Sequence, residues 1–206
     1  MPALPIPAFA RDLCLHYANT RYWRGSEEPT ESLAGPGDLL AWLAEHGGHD
    51  RAVVASAEAW AGAQPEAAAR LFAEAIALRE TVYRAFAAIA AQRAIDPGDL
   101  GALNRALSAA PARRRMVPAA AGCAWEIDYP GPSAPALLAP VLWSAGDLIV
   151  DGGHGRLRQC ANDKCLWLFL DDSKGATRRW CDMKSCGNRL KARRHYLKRK
   201  AAARPG

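Results

Sequence analysis

The sequence predicts a mainly α-helical protein in two parts: a helical N-terminal domain with a small β-hairpin, and a small cysteine-rich unit at the C-terminus. Three observations support this fold class. Apolar residues recur at helical spacing along residues 65–92. Four of the six cysteines lie in the last quarter of the 206 residues. The balance of charge also changes sign between the two parts.

The longest predicted helix begins at Pro65 and ends near residue 92. Proline suits the first turn of a helix because its fixed φ is helical and its missing amide hydrogen has no partner to lose there. The apolar stripe consists of residues three or four positions apart: Leu71, Ala75, Leu78, Val82, Ala85 and Ile89. Such a stripe buries one face, so this segment is predicted to be the core helix of a bundle.

Shorter elements flank this helix. Residues 13–24 are predicted to begin as a short strand and then turn. Asp96-Pro97 can open a further helix, because aspartate caps helices and proline suits the position that follows. Residues 112–117 and 123–129 are predicted to form a strand pair. Ser133 precedes a last helix that extends to about residue 150.

The charges are unevenly distributed. Residues 1–155 contain 12 Lys and Arg against 17 Asp and Glu, whereas residues 156–206 contain 15 against 4. An acidic body joined to a strongly basic end is typical of a nucleic-acid-binding appendage. The N-terminal residues do not resemble a signal peptide, and the apolar segment 134–150 is short and contains Asp147. We therefore expect a cytoplasmic protein with no membrane span.

Two cysteine pairs have the spacing of a metal site. Cys160 and Cys165 form one C-x4-C pair, and Cys181 and Cys186 form a second after a fifteen-residue insert. Each pair can supply two thiolates from one tight turn, and zinc takes four such ligands in a tetrahedron. Paired cysteines in a reducing compartment favour metal over a disulfide. Because four thiolates leave no open position for water, the sequence predicts one structural Zn²⁺.

The rest of this unit predicts its topology. Residues 166–170 have the composition of a strand, and residues 177–180 can return as the partner strand. From Gly187 onward the sequence favours a helix. A knuckle, a hairpin and a helix that carries the final ligand at its start form a treble-clef-like zinc finger. Cys14 and Cys123 lie far from these pairs and are interpreted as core residues.

Cationic residues cover most of the predicted C-terminal helix. Leu190 and Leu197 form a narrow apolar strip that can pack on the hairpin. The cations on the other faces would repel one another, so phosphate contact is the simplest explanation. The expected nucleic-acid contacts are Arg178, Arg179, Arg189, Lys191, Arg193, Arg194, Lys198, Arg199 and Lys200. DNA is the expected partner, and RNA stays open because charge alone does not distinguish the two.

These residues resemble known motifs. Residues 181–189, CDMKSCGNR, closely resemble the motif of the CGNR zinc-finger family, and Cys160, Cys165 and residues 167–170 match it too. The N-terminal part resembles the ABATE domain, which commonly precedes this finger in bacterial proteins. That second resemblance is carried by residues 13–20, Leu78-Arg79-Glu80, Leu103-Asn104 and Arg113-Arg114-Arg115. The family's early motif usually has an aspartate where His16 stands.

The glycine-rich break at residues 151–155 suggests how the chain is divided. Residues 1–153 are predicted to be an ABATE-like helical domain, a candidate for sensing or for forming a homodimer. Residues 154–206 are predicted to be the CGNR-type finger with its basic helix. The resemblance implies a bacterial, stress-linked transcription regulator that binds DNA through the finger.

A binding module is one alternative to a DNA-binding regulator. In that case the body binds a small molecule or a protein, and the finger is only a docking element. Asn19, Thr20 and Arg21, together with Tyr22 and Trp23, could line a ligand pocket between helices. The simpler interpretation is that Asn19 and Thr20 cap or turn the chain.

An HNH-like nuclease is the other alternative, since treble clefs also occur in such enzymes. His154, Asp182, Asn188 and His195 are the candidate catalytic groups in or near the finger. All four cysteines, however, are assigned to one closed metal site, and the sequence offers no second His and Asp cluster for a catalytic ion. We therefore expect no enzymatic activity.

Overall fold

The computed structural model is mainly helical, with small antiparallel sheets. It describes residues 3–6, 10–47, 49, 51–113, 115–119, 122–151 and 155–188. The helices are α1 (Leu13–Ala18), α2 (Pro36–His46), α3 (Arg51–Ala63), α4 (Pro65–Ala90), α5 (Pro97–Ala109), α6 (Ala134–Leu137) and α7 (Ala139–Val150). The strands are β1 (Ala3–Ile6), β2 (Arg21–Tyr22), β3 (Thr30–Glu31), β4 (Arg115–Ala119), β5 (Gly122–Asp128), β6 (Leu157–Gln159) and β7 (Leu168–Leu170). Residues 3–151 are called the body below, and residues 155–188 the finger.

Helix α4 lies at the centre of the body. It begins at Pro65, as predicted, and contacts α1, α2, α3, α5 and α6. The predicted stripe from Leu71 to Ala85 is buried, and Ile89 at its end is half-buried against the core. One apolar face of α4 therefore holds the bundle together. None of the helices in the described ranges combines the length and the apolarity that a bilayer-spanning segment requires.

The expected strand at residues 13–24 is wrong. Residues Leu13–Ala18 form helix α1, and only Arg21–Tyr22 pairs as a strand, with Thr30–Glu31. Apart from His16, every residue of α1 is buried, since the helix packs between α4 and α7 and also contacts β7. A short helix buried on nearly all sides shows no 3.6-residue alternation, so its pattern cannot be told from that of a buried strand.

The predicted start of α5 and the predicted strand pair of the body are confirmed, whereas the predicted burial of Cys123 is not. Asp96 caps α5 by accepting hydrogen bonds from the amides of Gly98 and Asp99. Ser133 caps α6, but the single helix predicted from there to about residue 150 is divided at Leu138 into α6 and α7. The predicted strand pair is β4 and β5, and β1 adds a third strand in the order β1-β5-β4. Cys123 is exposed on this sheet, so its interpretation as a core residue is wrong.

Cys14 is buried in α1, as predicted, and its amide donates to Ser144 Oγ on α7 at 3.1 Å. Burial raises the pKa of the Cys14 thiol to about 12. The thiol therefore stays protonated at neutral pH and behaves as a small apolar side chain.

The strand pairing predicted within the finger is also wrong. Strand β7 pairs with β6, which precedes the first cysteine, in the register Leu157 opposite Leu170 and Gln159 opposite Leu168. Residues 177–180 form no strand. The first cysteine pair consequently lies in the turn of the β6–β7 hairpin. The inner residues Leu157 and Leu168 belong to the same apolar core as the helices of the body.

Candidate metal centre and its contacts with the body

The four cysteines of the finger come together in space. Cys160, Cys165 and Cys186 are buried and Cys181 is half-buried, and all four Sγ atoms lie within 4.8 Å of one another. The Sγ of Cys181 lies 3.7 Å from that of Cys165 and 3.8 Å from that of Cys186. A tetrahedral Zn²⁺ with Zn–S bonds of about 2.3 Å requires S–S separations of about 3.8 Å. The thiols therefore fit one structural zinc ion, as predicted.

The proximity of the thiols also determines their electrostatics. Hydrogen bonds from Cys165 and Cys181 hold the pKa of the Cys160 thiol well below its ordinary value. The same contacts with Cys160 raise the pKa values of the Cys165 and Cys181 thiols. Thiolates as close together as these repel one another. A dication removes this conflict, because four thiolates can then ionise around one positive centre.

Asn162 shapes the first cysteine turn. Its Oδ1 accepts from the Lys164 amide at 3.2 Å and its carbonyl accepts from the Cys165 amide at 2.8 Å. Its Nδ2 donates to Cys186 Sγ at 3.4 Å. One buried residue therefore forms the turn of the first cysteine pair, through its side chain and its carbonyl, and also contacts a ligand of the second pair. Hydrogen bonds of this kind, from residues outside the ligand set, orient metal ligands. The spacing of the cysteines does not predict the contact between Asn162 and Cys186.

The second cysteine pair is held by Asp182 and Arg178. The Asp182 carboxylate accepts from the amides of Lys184 and Ser185 and so begins a π-helical turn, Met183–Gly187. The Arg178 guanidinium donates to the carbonyls of Trp180 and Cys181. It also lies 4.7 Å from the centre of the Phe169 ring. The contacts of Arg178 therefore hold the backbone at Trp180 and Cys181 in place.

Asp171 organises the loop between the two cysteine pairs. Its side chain is buried and accepts from the Ser173 hydroxyl at 2.5 Å, from the Ser173 amide at 3.0 Å and from the Arg178 amide at 2.7 Å. The hydrogen bond from Ser173 and the other donors lower the pKa of the Asp171 carboxyl. The loop that replaces the expected return strand is therefore ordered by a carboxylate.

Asn19 joins the body to the finger. It is buried just after α1, and its Nδ2 donates to the Leu168 carbonyl at 2.8 Å while its Oδ1 accepts from the Leu168 amide at 3.1 Å. The amide side chain therefore pairs with the free edge of β7 as a neighbouring strand would. Both bonds are buried, so losing Asn19 would leave two unsatisfied backbone groups.

Tyr83 and Gly25 make further contacts between the body and the finger, whose boundary is called the seam below. The Tyr83 hydroxyl on α4 donates to the Leu166 carbonyl at 2.9 Å and accepts from Gln159 Nε2 at 3.0 Å. The Gly25 amide donates to the Lys164 carbonyl at 3.2 Å. A Cβ on Gly25 would lie 1.9 Å from the Asp163 carbonyl oxygen, so only glycine allows this close approach.

A buried ionic network supports the same seam from the body side. Arg79 on α4 is 1% exposed and forms two 2.6 Å bonds with the Glu31 carboxylate and a 2.9 Å bond with Glu80. Glu80 in turn accepts from Arg24 at 2.6 Å, and the Arg24 guanidinium lies 3.8 Å from the centre of the Tyr83 ring. Ionic contacts thus run from β3 to the tyrosine that contacts the finger.

Family comparisons agree with this architecture. Residues 11–152 match the ABATE family, described as "Putative stress-induced transcription regulator". The chain belongs to the ABATE family. Residues 156–199 match the CGNR zinc finger, so both resemblances inferred from the sequence are confirmed. No curated protein matches the chain.

The structure places only part of the predicted nucleic-acid contacts in this ABATE protein. Arg178 and Arg179 are exposed, and the Arg179 guanidinium lies 5.5 Å from the centre of the Trp180 ring. The other predicted contacts lie outside the described residues: Arg189, Lys191, Arg193, Arg194, Lys198, Arg199 and Lys200. Since Arg178 donates to two carbonyls of the cysteine loop, its first role is structural.

The other candidate residues have identifiable positions. Thr20 Oγ1 donates to the Tyr17 carbonyl and accepts from Arg79, so it belongs to the ionic network. Arg21 is half-buried on β2. Of the candidate nuclease groups, Asp182 caps the π-helical turn and Asn188 is exposed at its end. The two histidines in that set, His154 and His195, lie outside the described residues.

Proposed function

We propose that this protein is a DNA-binding transcription regulator, in which a zinc-ordered finger presents the basic C-terminal segment to DNA. The observation that carries the proposal is the site of four cysteine thiols, whose last member in the sequence is Cys186. That site fixes the chain immediately before Arg189, where a run of cations begins. The cations of this segment repel one another and the other cations of the finger. Zinc binding at Cys186 would hold the start of the segment in a fixed place and so orient it.

The family match supports the regulatory part of this proposal, because the description of the ABATE family names transcription regulation. The electrostatics support the DNA part: residues 156–206 carry 15 cations against 4 anions, whereas the body is acidic. Most of the affinity would come from phosphate contacts and the accompanying release of counterions. Within the proposal the protein acts in the bacterial cytoplasm, and the body senses a signal or forms a homodimer.

We assign the zinc a structural role and no catalytic step. Four thiolates complete a tetrahedral coordination shell, so no position remains for a water to be activated. The Asp182 carboxylate already accepts two backbone hydrogen bonds. The finger is therefore proposed to bind nucleic acid without cleaving it, and a plasmid incubated with the zinc-loaded protein and Mg²⁺ should stay intact.

The direct test is a salt titration of DNA binding by the full-length protein, followed by fluorescence anisotropy of a labelled duplex. Affinity should fall steeply with salt, and changing both Arg193 and Arg194 to glutamine should reduce the slope by about 2, since each phosphate contact contributes about 0.9. The control Arg70→Gln alters an exposed residue of α4 and should leave the slope unchanged. An unchanged slope in the double variant would count against phosphate contact there. Repeating the titration with single-stranded RNA distinguishes the two nucleic acids.

A further inference from the structure

A cavity of about 270 Å³ lies at the seam between the body and the finger. Its walls combine aromatic side chains, zinc-site cysteines and small polar groups: Tyr22, Trp23, Cys165, Trp167, Cys181, Asp182, Ser185 and Cys186. The body contributes two of the aromatic residues and the finger contributes the third. The cavity therefore exists only when the two parts are in contact, and neither the zinc site nor the DNA-binding proposal requires it.

The aromatic walls are held at fixed angles. The ring centres of Tyr22 and Trp167 lie 6.4 Å apart with their planes tilted by 58°, so the two rings form adjoining walls and do not stack face to face. Trp23 has a φ of 56°, and Leu166, which precedes Trp167, has a φ of 57°. Bulky residues rarely adopt this left-handed conformation, and they keep it only where the surrounding contacts impose it.

Identifiable contacts impose this conformation at Trp23. The next residue, Arg24, donates to the Ala18 carbonyl at 2.8 Å and pairs with Glu80. Gly25 then donates to the Lys164 carbonyl of the finger. On the other side of the cavity, Leu166 accepts from the Tyr83 hydroxyl. The two tryptophans are therefore positioned by the same contacts that join the body to the finger.

Among the described residues, the charged groups that line the cavity are negative. Three of its lining residues are ligands of the predicted zinc, and four thiolates around one Zn²⁺ leave a net charge of −2. Asp182 adds a carboxylate at the wall. None of the described residues that line it is a cation. Of the cations next to lining residues in the sequence, Lys164 and Lys184 are exposed, Arg21 is half-buried, and Arg24 is paired with Glu80. This environment favours a positively charged occupant and opposes a phosphate.

We propose that this cavity binds a small organic cation of the alkylammonium class. The faces of tryptophan and tyrosine attract such cations through the ring quadrupole, and several tilted rings around one quaternary ammonium group are a recurring solution. The negative zinc–thiolate cluster and Asp182 supply the complementary charge. Because the walls come from both parts of the chain, a bound cation would stabilise the contact between body and finger.

The test is a titration of the full-length, zinc-loaded protein with choline and with 3,3-dimethylbutan-1-ol, its neutral isostere, at constant ionic strength. Binding is followed by tryptophan fluorescence and by calorimetry. Choline should bind saturably, and the isostere should bind at least about tenfold more weakly because it lacks the charge. Equal binding of the two, or no saturable binding of choline, would overturn the proposal. Saturable binding of adenosine in place of choline would identify a stacking site for a base and would also overturn it.

Variants locate the binding site. Trp167→Leu and Tyr22→Leu, one from each side of the cavity, should each weaken choline binding about tenfold or more. Asp182→Asn should weaken it several-fold, since asparagine keeps the helical cap but removes the charge. Asp172→Asn changes the same residue type at an exposed position of the finger outside the cavity and should have no effect. The zinc-to-protein ratio, measured for every variant, verifies that the finger is intact, and unchanged choline affinity in both aromatic variants would place the ligand elsewhere.

Discussion

The body and the finger are ordered by different forces. In the body, helices pack around α4 and bury a continuous set of apolar side chains. In the finger, the cysteine thiols hold the loops in place together with hydrogen bonds that Asn162 and Arg178 donate and Asp171 accepts. The main apolar residues of its hairpin, Leu157 and Leu168, belong to the core of the body. The finger thus depends on metal for its internal order and on the body for much of its apolar burial.

This difference shows how a very small unit can be structured next to a conventional core. A unit of a few tens of residues cannot bury enough apolar surface to offset its conformational entropy. Metal ligation supplies the missing free energy, and the edge of its hairpin is completed by Asn19 of the body. The contacts at the seam should therefore respond to changes on either side.

The largest expected effect comes from removing a zinc ligand. Cys181→Ser should abolish stoichiometric zinc binding and unfold the finger, because metal binding contributes roughly 10–16 kcal/mol to folding of small zinc units. The helices of the body should persist. Hydrogen exchange measured by mass spectrometry should show fast exchange in residues 155–188 and near-native protection in α4. Cys123→Ser, which changes an exposed cysteine of the body, is the matched control, and melting of α4 in the Cys181 variant would contradict separate ordering of the two parts.

The next effect concerns the ionic network in the body. Arg79→Ala leaves the Glu31 carboxylate without its buried partner, whereas Glu80 keeps its contact with Arg24. We expect a cost of about 3 kcal/mol, the lower end for a broken buried ion pair, because Glu31 is partly exposed. The control Arg84→Ala removes an exposed arginine from the same helix, where it pairs with Asp99, and should cost less than about 1 kcal/mol. Urea unfolding monitored by circular dichroism measures both values. Similar losses in the free energy of unfolding of the two variants would show that the buried Arg79 pair stabilises the body no more than an exposed pair does.

An intermediate effect is expected at the seam. Asn19→Ala removes both hydrogen bonds to Leu168 and leaves its amide and carbonyl buried, at a cost of about 1–3 kcal/mol for each unsatisfied group. The Leu168 amide should exchange faster, and chelators should remove zinc from the finger more quickly. Asn104→Ala, a change of the same type at an exposed position of α5, should alter neither rate. Native exchange at Leu168 in the Asn19 variant would mean that the finger keeps β7 ordered by itself.

The smallest effect is a pH dependence confined to the body. His16 Nε2 lies 3.4 Å from Asp12 Oδ2. The hydrogen bond between them raises the pKa of His16 above 6.5 and lowers the pKa of Asp12 below 3.8. The contribution of His16 is therefore complete below pH 6.5 and is lost as the pH rises through its raised pKa. That of Asp12 is complete above pH 3.8 and is lost as the pH falls through its lowered pKa.

His16→Asn should consequently cost a few tenths of a kcal/mol between about pH 4 and pH 6.5, as expected for a partly exposed pair, and nothing near pH 9. Urea unfolding of both proteins across this range measures the difference. The rate of zinc loss to a chelator at pH 7 should be equal in the two proteins, since the pair lies outside the finger. A cost that persists at pH 9 would show that His16 acts by packing and not by its charge.

Much of the fold could be predicted from local patterns. The stripe on α4, the cap at Asp96 and the cap at Ser133 each depend on residues a few positions apart, so the sequence records them directly. The four zinc ligands were predictable for the same reason, because each pair occupies one turn. Helix α1 was not, since burial on nearly all sides removed the periodicity that distinguishes a helix from a strand.

The sequence by itself determined the helical body, the cysteines that meet around one metal and the opposite charges of the two parts. Only the tertiary structure decided that β7 pairs with β6, that Arg178 supports the cysteine loop and that Asn19 completes the edge of the finger. Asn19 and Leu168 are 149 positions apart, and a contact over that distance leaves no repeat or spacing in the chain. Periodicity encodes elements, whereas the contacts that join body and finger appear only when the elements have packed.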